Sequence, residues 1–187
     1  MGYFDSEKNV SDYIKMVNGY DGRELIKELR SYLKEGSSVL EIGMGPGTDL
    51  DILKKYYMVT GSDSSEIFIN RYKKKHPDAD VLLIDAKEME IDRKFDCIYS
   101  NKVLIHLTKD ECIDSLKNQK KVLNPNGILF HSFWYGDKVE KHHGLLFTYY
   151  TEDELRSIVK DDYKILKIQK YMEFEKDDSL YVILQRK

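Results

Sequence analysis

The chain has 187 residues, 41% hydrophobic and 34% charged, with a formal net charge of -3 at pH 7. That length fits a single domain over residues 1–187 with a sizeable core, and the mildly acidic balance excludes a chain built mainly to coat nucleic acid. No apolar run approaches the about 20 residues that span a bilayer, the first ten residues are polar, and Cys97 and Cys112 lie outside metal or redox spacings, so a cytoplasmic protein with no membrane partner is expected.

Apolar residues recur at helical spacing from Tyr13 to Leu33, broken near Asn18 to Gly22, which predicts two helices within an N-terminal cap over residues 1–35. A strand follows at 38–42, then a helix from Thr48 to Tyr56 and a strand from Met58 to Gly61 that runs out in Ser62-Asp63-Ser64-Ser65. Ser64 is placed to cap the next helix, 65–75, which His76-Pro77-Asp78 stops. Lys73-Lys74-Lys75, Lys117 and Lys120-Lys121 read as solvated helix faces.

A third strand, 81–84, ends at Asp85-Ala86, and a fourth, 95–99, ends at Ser100-Asn101. Thr108 with acids in the first turn opens a helix to Val122, and Asn124-Pro125-Asn126-Gly127 reads as a turn before a fifth strand, 128–134. Residues 135–150 read as an irregular insertion rich in aromatics and histidine, of a length that is more often functional than idle. A short helix, 151–159, precedes strands at 163–174 and 180–185, whose short connection allows only an antiparallel pair. The fold expected is α/β: a three-layer, doubly wound, mostly parallel seven-stranded sheet with a C-terminal antiparallel hairpin.

In such a sheet ligands sit outside the carboxyl ends of the strands, and the polar candidates fall there. Val39-Leu40-Glu41-Ile42-Gly43-Met44-Gly45-Pro46-Gly47-Thr48 is a buried strand delivering a side-chain-poor loop to a helix start. A dinucleotide fingerprint would need glycine where Thr48 stands. The alternate glycines preceded by Glu41 resemble the first motif of the class I S-adenosylmethionine-dependent methyltransferases, and the similarity of element order extends from about Asp21 to the end.

That resemblance implies the cofactor S-adenosylmethionine, with S-adenosylhomocysteine as product, held by Glu41, Gly43, Gly45, Gly47, Asp63, Ser64, Asp85, Ala86, Ser100 and Asn101. Asp63 is placed for the ribose hydroxyls, and Asp85-Ala86 resembles the place where an acid meets the adenine amino group. The segment before the first strand often folds over the cofactor in this family, which brings Tyr3, Phe4, Tyr13 and Tyr20 toward it. Ser100-Asn101 leads to His106-Leu107, as in many small-molecule members. It departs from the Asn/Asp-Pro-Pro-Tyr/Phe pattern of amino-methyltransferases acting on adenine, and from the acidic cluster that holds magnesium in catechol-type enzymes.

His106 is the candidate catalytic base, and His106, His131, Trp134, Tyr135, His142, His143, Tyr149 and Tyr150 are candidates for an acceptor pocket under the 135–150 insertion. Aromatics there suit a planar or cationic acceptor. The partner expected is a small-molecule methyl acceptor, with no metal and a monomer or homodimer as the assembly. Two other readings remain open: an NAD-dependent oxidoreductase on a related sheet, and a non-catalytic module that binds the cofactor.

Overall fold

The computed structural model describes residues 2–187. Its seven-stranded sheet comprises β1 (Ser38–Ile42), β2 (Met58–Asp63), β3 (Val81–Leu83), β4 (Phe95–Asn101), β5 (Leu123–Trp134), β8 (Tyr163–Tyr171) and β9 (Ser179–Arg186), in the order β3-β2-β1-β4-β5-β9-β8. The first five strands pair parallel, while β9 runs antiparallel to both β5 and β8. Strand order reverses between β1 and β4, so a crevice opens there at the carboxyl edge.

Helices α1 (Glu7–Met16), α2 (Arg23–Leu29), α3 (Thr48–Leu53), α4 (Glu66–Lys75), α5 (Lys109–Val122) and α6 (Glu152–Val159) flank the sheet. One core layer packs Leu40, Ile98, Leu129 and Phe133 of the sheet with Leu116 and Leu155 of α5 and α6. The opposite face packs Val39, Cys97, Phe130 and Ile183 against Leu25, Ile26 and Leu29 of α2. Both faces of the central strands are covered, which is why β1 reads as a nearly continuous apolar run. Thr108 and Thr151 each accept from the backbone three residues on, and Glu111 and Glu154 reach back to complete the capping boxes of α5 and α6.

Five local expectations need correction. The first helix begins at Glu7, capped by Ser6, because its apolar pattern is too sparse before Tyr13 to register. Helix α3 ends at Leu53 rather than Tyr56, since Lys55 and Tyr56 donate to carbonyls three residues back and tighten the chain into β2. Strand β2 runs on to Asp63, whose Oδ1 accepts from Ser65 N at 2.9 Å, so Ser65 and not Ser64 caps α4. Asn124 to Gly127 is not a separate turn but an excursion inside β5: the β4 partners step from Leu123 to Ile128 across two residues of β4. Strand β8 stops at Tyr171, because Asp178 accepts from the backbone of Glu173, Phe174 and Glu175 and closes the turn early.

The insertion is ordered. Strands β6 (Val139–His142) and β7 (Leu145–Thr148) form an antiparallel hairpin outside the main sheet. His143 (φ 51°) and Gly144 (φ 85°) are both left-handed, the combination that matches the twist of a two-residue hairpin. A bridge between Tyr135 and Tyr150 closes its base.

Candidate active site

The glycine loop follows β1 directly. Gly47 (φ 87°) lies against the ring of Tyr72, where a Cβ would collide, and it starts α3. Gly45 (φ 50°) instead has room beside it: the nearest atom to a Cβ there would be Tyr13 Cε1, in ordinary contact at 3.7 Å. Gly43 rests on Val103. The second glycine thus borders the crevice, and the outer two serve packing.

Asp63 sits beneath this loop. Its Oδ2 accepts from Gly45 N and its Oδ1 from Ser65 N, both at 2.9 Å, which leaves lone pairs for further donors. Burial pushes its carboxyl up, against the pull of those N–H groups. Glu41 is also buried, with Oε2 lacking a partner among the described residues, and its carboxyl is raised well above the ordinary range by burial and by the neighbouring charges of Asp49 and Asp63. An unpaired buried carboxylate is costly unless something absent from the chain complements it.

Asp49 is a candidate site residue that the sequence did not point to. It accepts from Gly22 N (2.6 Å), Tyr99 Oη (2.9 Å) and Asn101 Nδ2 (3.2 Å), so it ties the N-terminal cap to α3 and β4. An acid at the second position of the helix after the glycines was the available signal. Asn101 is oriented from its other side by Ser132, whose hydroxyl donates to Oδ1 at 2.7 Å. Tyr13 closes over the loop within a cluster of Phe4 and Phe68, and burial together with Asp63 and Asp49 pushes its hydroxyl up to about 12. Phe4 O accepts from Ser65 Oγ at 2.7 Å, and Arg71 on α4 holds Glu7 and Ser11 of α1, so the cap is docked onto the loop after β2. Ser64 itself is exposed. Asp85 closes its own turn by accepting from Lys87 N at 2.8 Å.

On the other side of the crevice His106 ends a 3-10 turn, Leu104–His106. Its Nδ1 lies 2.7 Å from Leu146 O in β7, and a carbonyl only accepts, so Nδ1 carries the proton and Nε2 keeps its lone pair. Burial lowers the imidazole below its usual range, so the ring is neutral at pH 7. Phe147 packs edge-on to it with centroids 5.0 Å apart.

Two pocket expectations fail on geometry. His131 is fully buried between Ser100 Oγ (2.7 Å) and Gln119 Oε1 (2.8 Å), and the side chain of Ser100 points with it toward α5 rather than into the crevice. Tyr150 is fully buried against Phe133. The period of two along β5 and its neighbours decides which of these residues face the core, and a histidine at such a position looks the same in sequence whichever way it points.

The remaining expected pocket residues are dispersed. His142 and His143 lie on the exposed tip of the β6–β7 hairpin. Tyr135 lies under Lys170, and Tyr149 under Lys138. Trp134 is held between Lys102, whose Nζ lies 3.7 Å from the ring centroid, and Phe174, stacked at 5.8 Å. Lys102 itself is left-handed (φ 58°), bonds Tyr171 Oη (3.1 Å) and Ser179 Oγ (2.7 Å), and pairs with Glu173 (3.6 Å). Burial lowers its ammonium to about 8 despite Glu173. It fastens the β8–β9 turn to the end of β4.

Residues 39–127 match the family model described as a methyltransferase domain. That match covers just under half of the chain, and the fold is the one that class I methyltransferase structures share. A solved 1,6-didemethyltoxoflavin-N1-methyltransferase from Burkholderia thailandensis, bound to S-adenosylhomocysteine, superposes on the domain with a TM-score of 0.79 and 19% identity, over 95% of this chain and 86% of that one. In sequence, the domain is 27% identical over 110 residues to a dTDP-3-amino-3,4,6-trideoxy-glucopyranose N,N-dimethyltransferase of Streptomyces venezuelae, covering 57% of this chain and 46% of that protein. It is 28% identical over 107 residues to a ribosomal-protein methyltransferase of Thermotoga neapolitana, covering 54% and 40%. The chain spans 30% to 46% of the length of the curated relatives it matches.

The glycine loop has charges and acceptors that fit S-adenosylmethionine. The cofactor's methionine end carries an ammonium and a sulfonium, and the unpartnered Glu41 oxygen, Asp49 and Asp63 make the glycine loop acidic. Asp63 retains acceptor capacity beyond its two backbone donors, and only Tyr13 stands against Gly45.

Proposed function

We propose that this domain transfers the methyl group of S-adenosylmethionine to a small-molecule acceptor, with the cofactor held by the glycine loop, Glu41, Asp63, Asp85 and Asn101. The observation that carries the reading is the buried acid cluster at the loop, one of whose oxygens has no partner among the described residues. It favours a cationic ligand and opposes the pyrophosphate that an NAD-type cofactor would lay on the same helix start. When bound, the cofactor supplies a methyl group already activated on a sulfonium. The chain aligns the acceptor in line with it and excludes water.

His106 Nε2 takes the proton of an acceptor that must lose one, while Leu146 O keeps the opposite nitrogen protonated. The β6–β7 hairpin, whose Leu146 carbonyl holds His106, borders the acceptor side. Ser100 contributes only backbone, since its hydroxyl is committed to His131. The small-molecule reading is supported by the two relatives named for a toxoflavin precursor and an amino sugar. The two buried free thiols suit a reducing cytoplasm.

Titration calorimetry with S-adenosylhomocysteine and with NADH tests the donor. Binding of the first and not the second is expected, and the reverse sinks the reading. A screen of small-molecule amines, phenols and thiols against a ribosomal-protein extract, read by S-adenosylhomocysteine release, then tests the acceptor class; turnover only with the extract overturns it.

A further inference from the structure

A chain of hydrogen bonds crosses the layer between β5 and α5, and its direction is fixed by its last acceptor. Ser115 Oγ donates to Ala86 O (2.6 Å), Gln119 Nε2 donates to Ser115 Oγ (3.0 Å), His131 Nε2 donates to Gln119 Oε1 (2.8 Å), and Ser100 Oγ donates to His131 Nδ1 (2.7 Å). Every side chain in it is fully buried. Burial holds His131 down at about 3, so the ring stays neutral and keeps one donor and one acceptor.

The far end of this chain is the loop after β3, which Ile84 N on Asp63 O (3.0 Å) and the buried Ile84 and Met89 anchor at its ends, while Ala86 and Lys87 between them are held from α5. Strand β3 is three residues long and lies at the edge of the sheet, paired on one side only. The loop that follows it is held from α5 through Ser115 on Ala86 O, Asn118 on Lys87 O (2.8 Å), and Glu111 with Lys87 (3.4 Å). Glu111, Ser115 and Asn118 stand on one helical face, at i, i+4 and i+7. Gln119 and His131 in turn fix that face against the central strand β5, where His131 is the register partner of Ser100.

We infer that His131 is a positioning residue for the adenine end of the cofactor site, holding the Asp85–Ala86 loop in place through Gln119 and Ser115. The inference rests on the S-adenosylmethionine reading of that site. Asp85 meets a donor on adenine, whereas the 6-oxo group of hypoxanthine presents an acceptor to the same carboxylate. A displaced loop therefore loses discrimination between the two bases, and an unrelated loss of packing does not.

The test is calorimetry of the full chain with S-adenosylhomocysteine and with S-inosylhomocysteine. His131→Leu is expected to weaken S-adenosylhomocysteine about tenfold and to reduce its preference over the inosyl analogue by a similar factor, the scale of one lost hydrogen bond. His131→Gln retains an acceptor for Ser100 and a donor for Gln119, and is expected to restore both values. Ser115→Ala removes only the last bond to the loop and carries the same test if His131→Leu does not fold. Equal weakening of both nucleosides, unchanged affinities, or failure of the glutamine variant to restore the preference overturns the inference. A wild-type protein that binds neither nucleoside overturns the site reading itself.

Discussion

The two sides of the crevice are built in different ways. On the β1–β3 side the loop glycines, Glu41 and Asp63 arrive at the strand ends in sequence order, and the site is largely backbone plus buried carboxylates. On the β4–β5 side His106 is set by a carbonyl 40 residues away in β7, and Trp134 by Lys102 and by Phe174 in the terminal turn. The first half is specified by local chain geometry and the second by contacts between distant segments. A cofactor common to many proteins and an acceptor particular to one would divide the site in this way.

Substitutions on the two sides should therefore separate binding from turnover. Asp63→Ala removes the proposed ribose acceptor and the tether of Gly45, and S-adenosylhomocysteine affinity should fall at least about 100-fold by calorimetry, since each hydrogen bond to a charged group is worth roughly 1.5 to 3 kcal/mol. An affinity within threefold of wild type would erase the distinction. His106→Ala should leave that affinity unchanged and lower kcat by about 100-fold with an acceptor that must lose a proton, the scale of general-base catalysis. Because burial lowers the His106 imidazole, the acid limb of the wild-type kcat profile should lie below about pH 6.5. Full activity in the variant would remove His106 as the base.

Glu41→Gln sharpens the comparison from the energetic side. A carboxyl raised in the folded state costs stability once pH rises above its unfolded value, so the neutral amide should stabilise the ligand-free domain by about 1 kcal/mol at pH 7 in urea titration. The same variant should bind S-adenosylhomocysteine about tenfold more weakly, the scale of one charged interaction. Weaker binding without a gain in stability would contradict the strained acid cluster.

The last comparison concerns His131, and it is read from pH dependence alone. Its depressed value means that the unfolded chain binds more protons between about pH 6.5 and about 3, so this residue withdraws stability as pH falls through that window. Relative to His131→Gln, the wild type should lose up to about 1.4 kcal/mol per pH unit there, measured by urea unfolding at a series of pH values. Glu41, Asp49 and Asp63, raised in the fold, act in the opposite sense in both proteins and cancel in the difference.

Much of the architecture was legible because its signals are local. The strand ends, the capping boxes at Thr108 and Thr151, and the short connection before β9 each report a backbone conformation through neighbouring residues. The boundaries that slipped, at α3, at Ser65 and within β5, are places where a hydrogen bond to another element ends or prolongs the local pattern. The β6–β7 hairpin went unread because His143-Gly144 is a weaker turn signal than asparagine or aspartate before glycine.

By itself the sequence determined the glycine loop, the acids at the ends of β1, β2 and β3, and hence the cofactor side, since a strand that ends in alternate glycines needs no distant partner to form its cradle. Only the tertiary structure decided that Asp49 belongs to the acid cluster, that His131 faces the core and not the acceptor, and that Leu146 fixes the tautomer of His106. Those assignments depend on which strand face meets which helix, and on loops that meet only after the sheet has formed.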